Sequence, residues 1–383
     1  MADHPWRPAA EPPATIETLR ESIPALADHT YLNWGASGPS PRTVVEATES
    51  ALEYHEYEAA GDGMYTVADE IFDVTRDRIA NFVGADATEI ALTQSTTAGI
   101  NRIASAIDFE PGAVVVTTDL EHAAGRLPWT RLAERADIEI RVIETEDGRI
   151  DQSAAADALE DAQLFCFSAI DWLYGRVHPV SELTDLAHEQ NALALVDAVQ
   201  VPGQHPIDVS AWGADIVAGA GHKWLLGPWG AGFLYVSTAV VDDLEPTQIG
   251  YRSVASSSGG TYEFHPDATR FELGTMSPAP FAGLRRAIET IERIGAETIH
   301  DRIREHRDRF VAGIEPARLR SPEDGRSGLV TVRDPDPERT VERLAEDSIT
   351  LRAVPLPESI RLSFHAVNST RDVDRVLDAL DTT

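Results

Sequence analysis

The feature that most constrains the fold is a series of short apolar runs separated by stretches with helical periodicity. These runs are rich in Val, Ile, Leu and Phe, and they lie at 89–94, 113–118, 139–144, 164–168, 192–196, 215–218 and 232–236. Several of them are continuously apolar, as strands covered on both faces are. The alternation of strand and helix predicts βαβ units and an α/β fold with a mostly parallel sheet.

This rhythm changes after residue 244. Residues 244–275 interrupt the alternation, and the Ser- and Gly-rich stretch 256–260 predicts a flexible loop. Two long helical patterns follow at 281–294 and 296–310, and the tail then mixes short strands with helices. For a chain of 383 residues, we predict an N-terminal arm at 1–25, a large domain at 26–275 and a smaller α+β C-terminal domain at 276–383.

Charge and apolar content limit the possible partners. The net charge of −32 accompanies 43% hydrophobic residues, so the chain has material for a core beneath an acidic surface. Such a surface repels nucleic acid and anionic membranes, and we expect neither as a partner. No signal peptide and no apolar run of membrane-spanning length is visible, so we expect a cytoplasmic protein. Acidic excess with scarce lysine suggests a halophilic cytoplasm.

The chain contains a single lysine, Lys223, beside 31 arginines. Arginine can carry surface charge and bind anions at least as well as lysine. It cannot act as an amine nucleophile, whereas lysine can form a Schiff base with a carbonyl. A lysine left by chance in a lysine-poor chain is the alternative, and the surroundings of Lys223 decide between the two readings.

Polar groups follow four of the predicted strands. Thr96 and Thr97 begin a helix, where hydroxyls and free N–H groups bind anions or merely cap the helix. His122 could stack on a flat ring or move protons, although a lone histidine is more often structural. Asp197 ends an apolar strand, where a carboxylate needs a partner. Because ligands bind at the carboxyl ends of such strands, Lys223 is expected to join them. Pyridoxal phosphate would use all four groups.

These residues resemble a known family. The segment 196–200, Val-Asp-Ala-Val-Gln, followed by Gly-His-Lys at 221–223, is similar to the class V aminotransferases. That family consists of fold-type I pyridoxal-phosphate enzymes and includes cysteine desulfurases, selenocysteine lyases and isopenicillin N epimerase-like proteins. The resemblance extends from about residue 31 to 377. It implies a fold-type I transferase with pyridoxal 5'-phosphate as its cofactor.

The resemblance assigns roles around the cofactor. Lys223 would form the Schiff base, Asp197 would keep the pyridine nitrogen protonated, and both would be catalytic together with His122. His122 would stack on the ring, and Gln200 would hydrogen-bond its hydroxyl. The phosphate would be held by Thr96, Thr97 and His222.

Further roles concern the second subunit and the substrate. Thr275, in the segment 270–275, would reach the phosphate of the other subunit, which implies a homodimer with shared active sites. Arg361 would grip the carboxylate of an amino-acid substrate with its two-pronged donor group. The alternative is that Arg361 is an exposed arginine on a strand, without a role in substrate binding. Substrate selection is expected to involve Arg252, Trp172 and Asn33. No metal site is expected.

The chain departs from the family pattern at three places. Ala220 replaces a serine that usually donates to the phosphate, and Trp172 stands where desulfurases carry an asparagine. The stretch 352–360 contains no cysteine, whereas a desulfurase needs a reactive thiol there. The only cysteine, Cys166, lies within an apolar run and is expected to be inert. We therefore predict that the enzyme forms no persulfide on its own chain.

The resemblance implies chemistry at the Cα atom of an α-amino acid. Transamination is the leading expectation, with Lys223 moving the Cα proton. A cysteine or cystine β-lyase and an amino-acid epimerase remain open, because both share the first steps. A non-catalytic protein that only retains the fold is the alternative from another class.

Overall fold

The computed structural model describes Trp6, Pro8 and residues 10–381. Its strands, numbered along the chain, are β1 (Thr30–Tyr31), β2 (Ile90–Thr93), β3 (Ala113–Thr118), β4 (Ile138–Ile143), β5 (Ala162–Ser168), β6 (Leu193–Asp197), β7 (Ile216–Ala220), β8 (Gly232–Val236), β9 (Val254–Ser258), β10 (Thr261–Phe264), β11 (Leu329–Arg333), β12 (Ile349–Thr350), β13 (Arg352–Ala353) and β14 (Ser359–Ser363). Its α-helices are α1 (Ile16–Glu21), α2 (Arg42–Glu53), α3 (Met64–Val83), α4 (Thr96–Ala104), α5 (Ala123–Ala133), α6 (Gln152–Ala158), α7 (Val180–Glu189), α8 (Val209–Trp212), α9 (Ala279–Ile294), α10 (Ala296–Gly313), α11 (Pro337–Glu346) and α12 (Thr370–Asp381).

A seven-stranded sheet forms the centre of the molecule, in the order β2-β8-β7-β6-β5-β3-β4. Every pair in it is parallel except those of β8, which is antiparallel to both β2 and β7. The predicted α/β class with a mostly parallel sheet is confirmed. Because β3, β5, β6 and β7 are parallel, their carboxyl ends meet at one edge, where the polar groups of the site gather.

The apolar runs form strands because both faces of this sheet are covered. Alternate residues of one strand enter different cores: Phe165 and Phe167 of β5 face one cluster, while Leu164 and Cys166 face the other. Helices α2 and α3 pack against α9 on the first side, and α4 packs against α5 on the second. Side chains alternate between the two faces along each strand. This alternation determines which side chain each strand places at the edge of the sheet.

The tail builds a second sheet with its own core. Strands β11, β14 and β13 lie side by side in antiparallel pairs, and their cluster includes Phe310 and Leu362. Strand β1 pairs with β12 in parallel, so the chain near residue 30 packs on the tail. Helix α9, which begins the predicted small domain, packs on α2 and α3. The division into 26–275 and 276–383 stays a proposal, supported by the separate core of the tail sheet and not by the packing of α9.

Three parts of the sequence prediction differ from the structure or lie partly outside the described residues. The predicted loop at 256–260 is wrong, because it lies largely in a hairpin in which β9 pairs with β10 around Gly259 and Gly260. The predicted strand 349–352 is divided into β12 and β13, which pair with different partners. Within the predicted arm 1–25, residues 1–5, 7 and 9 lie outside the described residues, and α1 buries Ile16 and Leu19.

No helix in the described ranges is a candidate for spanning a membrane. None of the helices there combines the length and the apolar character that crossing a bilayer requires.

Candidate active site

One pocket collects most of the predicted site residues at the carboxyl edge of the sheet. Nine of the twelve line it: Thr96, Thr97, His122, Trp172, Asp197, Gln200, His222, Lys223 and Arg361. Three do not, namely Asn33, Arg252 and Thr275. The pocket also contains residues that were not among the predicted site residues, among them Ser168 and Arg352.

The N-terminus of α4 supplies an anion site. Ser95 caps the helix by accepting the N–H of Ala98 at 3.1 Å, and Thr96 and Thr97 form the first turn. The Thr96 hydroxyl is buried and has no hydrogen-bond partner among the described residues. Free N–H groups and the helix dipole favour a negative ligand at such an end. A buried hydroxyl without a partner fits a phosphate oxygen that is not part of the chain itself.

The carboxylate and the amine share this pocket. Asp197 ends β6 and accepts the Val199 N–H at 2.9 Å through one oxygen. Burial raises the pKa of Asp197, which the Val199 N–H and Lys223 oppose. Burial also lowers the pKa of Lys223 to about 8, with Asp197 opposing the shift. A lysine amine that is partly deprotonated near neutral pH is suited to attack a carbonyl.

The loop after β1 closes over Lys223. Gly38 donates its N–H to the His222 carbonyl at 2.8 Å. A Cβ atom at Gly38 would lie 2.3 Å from the Lys223 carbonyl oxygen, a distance that no side chain could accept. The His222 ring lies 5.2 Å from the Trp229 ring, and burial lowers the pKa of His222 to about 4. His222 is therefore a neutral imidazole beside the pocket.

Two further predicted cofactor ligands have partners within the chain. Gln200 donates to the Gly35 carbonyl at 3.0 Å and accepts the Trp224 indole N–H at 2.8 Å, which leaves its second N–H free for a ligand. His122 caps α5, since its Nδ1 accepts the Ala124 N–H at 3.3 Å. Burial and nearby Lys223 lower the pKa of His122. The capping contact fixes the ring at the pocket while leaving its Nε2 available.

Two arginines face the pocket from the tail sheet. Arg361 on β14 is buried and donates from Nη1 to the Trp172 carbonyl at 2.7 Å, while its Nε and Nη2 have no partner among the described residues. Burial, and then Arg352, lower the pKa of Arg361 to about 9. Arg352 on β13 lies directly opposite Arg361 in the strand register. Neither arginine forms an ion pair within the described ranges, so both cationic groups are available to an anionic ligand.

Trp172 forms part of the wall near these arginines. The guanidinium carbons of Arg352 and Arg361 lie 6.0 and 5.9 Å from its ring, and its ring lies edge-on to His122 at 5.2 Å. The turn that carries Trp172 is held by Asp171, whose carboxylate accepts three backbone N–H groups between residues 173 and 176. This turn brings the Trp172 carbonyl to Arg361.

The remaining predicted residues do not line the pocket. Asn33 forms a backbone bridge with Ser363, and its Oδ1 is buried without a partner among the described residues. Arg252 forms ion pairs with Asp69 and with Glu272, the latter at 3.3 Å. Thr275 is hydrogen-bonded to the Tyr251 hydroxyl at 3.1 Å. The roles of Asn33, Arg252 and Thr275 stay predictions.

Sequence reasoning missed Arg352 and Ser168. Ser168 ends β5 and lies beside Asp197 in the register of β5 and β6, a position that the apolar run itself could have indicated. Arg352 gave no such signal, because its place depends on a strand of two residues that pairs across a turn.

Comparison with known proteins agrees with this geometry. The family model described as "Aminotransferase class-V" matches residues 30–376. The chain belongs to this family. A probable cysteine desulfurase of Methanothermobacter thermautotrophicus is 38% identical over 289 residues, which cover 74% of this chain and 72% of the relative.

Solved structures of this class of fold are also similar. The apo structure of cysteine desulfurase from Thermococcus onnurineus NA1 has a TM-score of 0.89 at 28% identity and covers 98% of both chains. The cystine C-S lyase C-DES, in complex with its reaction product cysteine persulfide, has a TM-score of 0.88 at 27% identity and covers 94% of this chain and 98% of its own. The class V enzyme is therefore of fold-type I.

Pyridoxal 5'-phosphate is the cofactor of this family member, and the pocket suits it. The unpaired Thr96 hydroxyl at the α4 N-terminus fits the phosphate, although Ala220 offers no hydroxyl. Asp197 offers a buried carboxylate that would suit a protonated ring nitrogen, and Lys223 offers the only ε-amine of the sequence. The pocket thus brings together a hydroxyl, a carboxylate and an amine that fit the cofactor.

Proposed function

We propose that the enzyme cleaves the Cβ–S bond of cystine or a related cysteine S-conjugate by elimination. The single observation that carries this proposal is the pair of arginines, Arg352 and Arg361, which face one pocket and form no ion pair with a carboxylate among the described residues, although Asp171 acts on Arg361 from a greater distance. An amino acid with one carboxylate engages one of them, whereas cystine has a carboxylate at each end. The similarity to a cystine C-S lyase supports the same reading.

The chain's residues have distinct tasks in this reaction. When bound, pyridoxal phosphate supplies an electron sink for the electrons left at Cα. Lys223 Nζ takes the proton from the substrate Cα, and Asp197 stabilises positive charge at the ring nitrogen. Arg361 donates its free Nε and Nη2 hydrogens to the α-carboxylate and orients Cα, as a planar two-pronged donor can. Arg352 holds the distal carboxylate.

The reaction balances without any thiol from the protein. The Cα–H and Cβ–S bonds of cystine break, and the departing sulfur leaves as cysteine persulfide. The remaining three-carbon unit takes up water and gives pyruvate and ammonia. Cys166 plays no part, because its side chain is buried in the core of β5 and its thiol donates to the Gly125 carbonyl at 3.7 Å. Burial raises the pKa of Cys166 well above its usual value, so the reactive thiolate is absent.

The test is product analysis of the holoenzyme and of Cys166→Ala. Incubation with cystine is expected to give pyruvate and a persulfide in equal amounts, at the same rate for both proteins. Formation of a protein-bound persulfide, or a lost activity in a folded Cys166→Ala variant, would contradict the proposal. Arg339→Gln serves as a control, because Arg339 is an exposed arginine on α11.

Transamination, the leading expectation from the sequence, remains the second candidate because Lys223 and Arg361 serve it equally. It predicts a pyridoxamine form of the cofactor and a keto acid that retains the substrate's side chain. Racemisation without keto acid would instead indicate an epimerase. Both outcomes can be separated from elimination in the same incubations.

We also propose a homodimer with shared active sites in the cytoplasm. The support is a set of large aromatic side chains that are exposed in the single chain: Tyr57, Tyr65, Trp229, Tyr251 and Tyr262. Tyr251 contacts Thr275, the residue predicted to reach the other subunit. Exposed apolar groups of this size favour burial against a second protein surface. Light scattering after gel filtration tests the dimer, and a salt series tests the predicted halophilic character.

A further inference from the structure

A second buried carboxyl group lies behind Asp197, and the proposed reaction does not use it. Glu121 follows β3 and is 5% exposed. Its Oε1 accepts the Ser168 N–H at 3.0 Å and the Thr118 hydroxyl at 2.8 Å, and its Oε2 lies 2.7 Å from Ser168 Oγ. A Cβ atom at Gly125 would lie 3.2 Å from Glu121 Oε2 and 4.0 Å from Asp197 Oδ2, so both carboxyls flank this glycine.

The geometry fixes where a proton on Glu121 would reside. Oε1 faces the Ser168 N–H, which can only donate, so a hydrogen on Oε1 would oppose an existing donor. Oε2 faces a hydroxyl oxygen, which can accept. The proton therefore belongs on Oε2, pointing at Ser168 Oγ.

Ser168 connects this proton to the pocket, because it is one of the residues that line it. When Glu121 is ionised, the Ser168 hydroxyl donates to Oε2 and presents only lone pairs to the pocket. When Glu121 is protonated, Oε2 donates to Ser168, and the Ser168 hydrogen is free to turn toward a ligand. One proton thus reverses the polarity of a hydroxyl at the end of β5, beside Asp197.

The surroundings favour the neutral acid at neutral pH. Burial raises the pKa of Glu121 to about 7, nearby Asp197 adds to the rise, and hydrogen bonds from Ser168 and Thr118 oppose it. The other titratable groups around it are the Cys166 thiol on β5 and His122, the next residue, while Lys223 acts on Asp197. A second negative charge beside Asp197 would be costly in this low-dielectric site.

We propose that Glu121 is a positioning residue that stores a proton behind Asp197 and, through it, sets the direction of the Ser168 hydroxyl in the cofactor pocket. Asp197 can then stay ionised without a second anion beside it. The protonation of Glu121 and the direction of the Ser168 hydroxyl do not depend on the cofactor; only their effect on a bound cofactor does. Neither depends on which reaction the enzyme catalyses.

The test uses Glu121→Gln, which mimics the protonated acid permanently. The amide oxygen replaces Oε1 as acceptor, and the NH2 group replaces Oε2–H as donor to Ser168. Infrared difference spectra of the apoprotein are expected to show a protonated carboxyl band that disappears near pH 7 and is absent in Glu121→Gln. The visible absorbance of the bound cofactor is expected to change at the same pH in the wild type and to lose that change in the variant.

Ser168→Ala provides the second variant. It keeps the carboxyl band but removes one donor to the ionised form, so the band's titration is expected to move to higher pH and the absorbance change to vanish. Asp171, whose pKa burial raises to about 6, gives a band that both variants retain. An unchanged carboxyl titration in Glu121→Gln, or an absorbance change that persists in both variants, would overturn the proposal. Failed elimination with intact titrations would refute only the proposed reaction.

Discussion

Replacing Arg352 by glutamine tests how the pocket reads its substrate. Arg352 lies opposite Arg361 across the β13–β14 pair; its Nε donates to the Ala353 carbonyl at 3.3 Å, and its guanidinium carbon lies 6.0 Å from the Trp172 ring centre. The change removes a positive charge at the pocket wall and leaves the hydrogen bonds of Lys223, Asp197 and Arg361 in place, while it relieves part of the lowering of the pKa values of Lys223 and Arg361. We expect binding of a distal carboxylate to be lost while the α-carboxylate is still held.

The size of the effect follows from the interaction that is removed. A hydrogen bond between charged groups contributes about 1.5–3 kcal/mol. Because about 1.36 kcal/mol corresponds to a tenfold change in rate, kcat/KM for cystine is expected to fall roughly 10- to 150-fold. An amino acid with one carboxylate and a leaving group on Cβ, such as β-chloroalanine, is expected to change little.

The assay measures pyruvate release from both substrates by wild type, Arg352→Gln and the exposed control Arg339→Gln. The decisive quantity is the ratio of the two kcat/KM values, because it cancels general damage to the pocket. An equal loss on both substrates would refute the reasoning, since Arg352 would then act on the shared chemistry. An unchanged ratio with full activity would show that cystine's distal carboxylate is bound elsewhere.

Three further predictions concern the cofactor site. The rate at which apoprotein takes up pyridoxal phosphate, followed by visible absorbance, should rise with pH and level off above about 8, because only the neutral amine of Lys223, whose pKa is about 8, attacks the aldehyde; a pH-independent rate would contradict this. Glu121→Gln should unfold at a higher denaturant concentration than wild type at pH 8, whereas at pH 4.5 it should show no such advantage. The pKa of Glu121 in the folded protein, about 7, exceeds its usual value of 4.5. The free energy of unfolding of wild type therefore falls as pH rises from 4.5 to 7, by about 3 kcal/mol at 1.36 kcal/mol per pKa unit. Gly38→Ala should weaken cofactor retention on dialysis at least tenfold, since its Cβ would meet the Lys223 carbonyl oxygen; normal retention would show that the loop moves freely.

The sheet and the centre of the site could be predicted because they depend on local patterns. The run 113–118 coincides with β3, and 232–236 coincides with β8. Once the strands are parallel, their carboxyl ends must meet, so Asp197 and Lys223 come together without any knowledge of side-chain packing.

Other features depend on pairings between distant parts of the chain. Arg352 reaches the pocket only through the register of two short strands, and no local pattern encodes that register. The stretch 254–264 has the composition of a loop, yet its backbone forms a hairpin because cross-strand hydrogen bonds replace those to water. Helix α3 buries Ile71 and Phe72 against partners such as Phe281, which its mixed polar sequence does not reveal.

The position of the only lysine has a practical consequence for work with this protein. Reagents that couple to ε-amines find a single target in the whole sequence, and that target lies in a cofactor pocket. If Lys223 holds the cofactor covalently, as proposed, amine-directed dyes, biotin esters or sensor-chip chemistry can attach to the holoenzyme only at an α-amino group. Molecules immobilised in this way would share one orientation, and the degree of labelling of Lys223 in the apoprotein would report directly how much of a preparation lacks its cofactor.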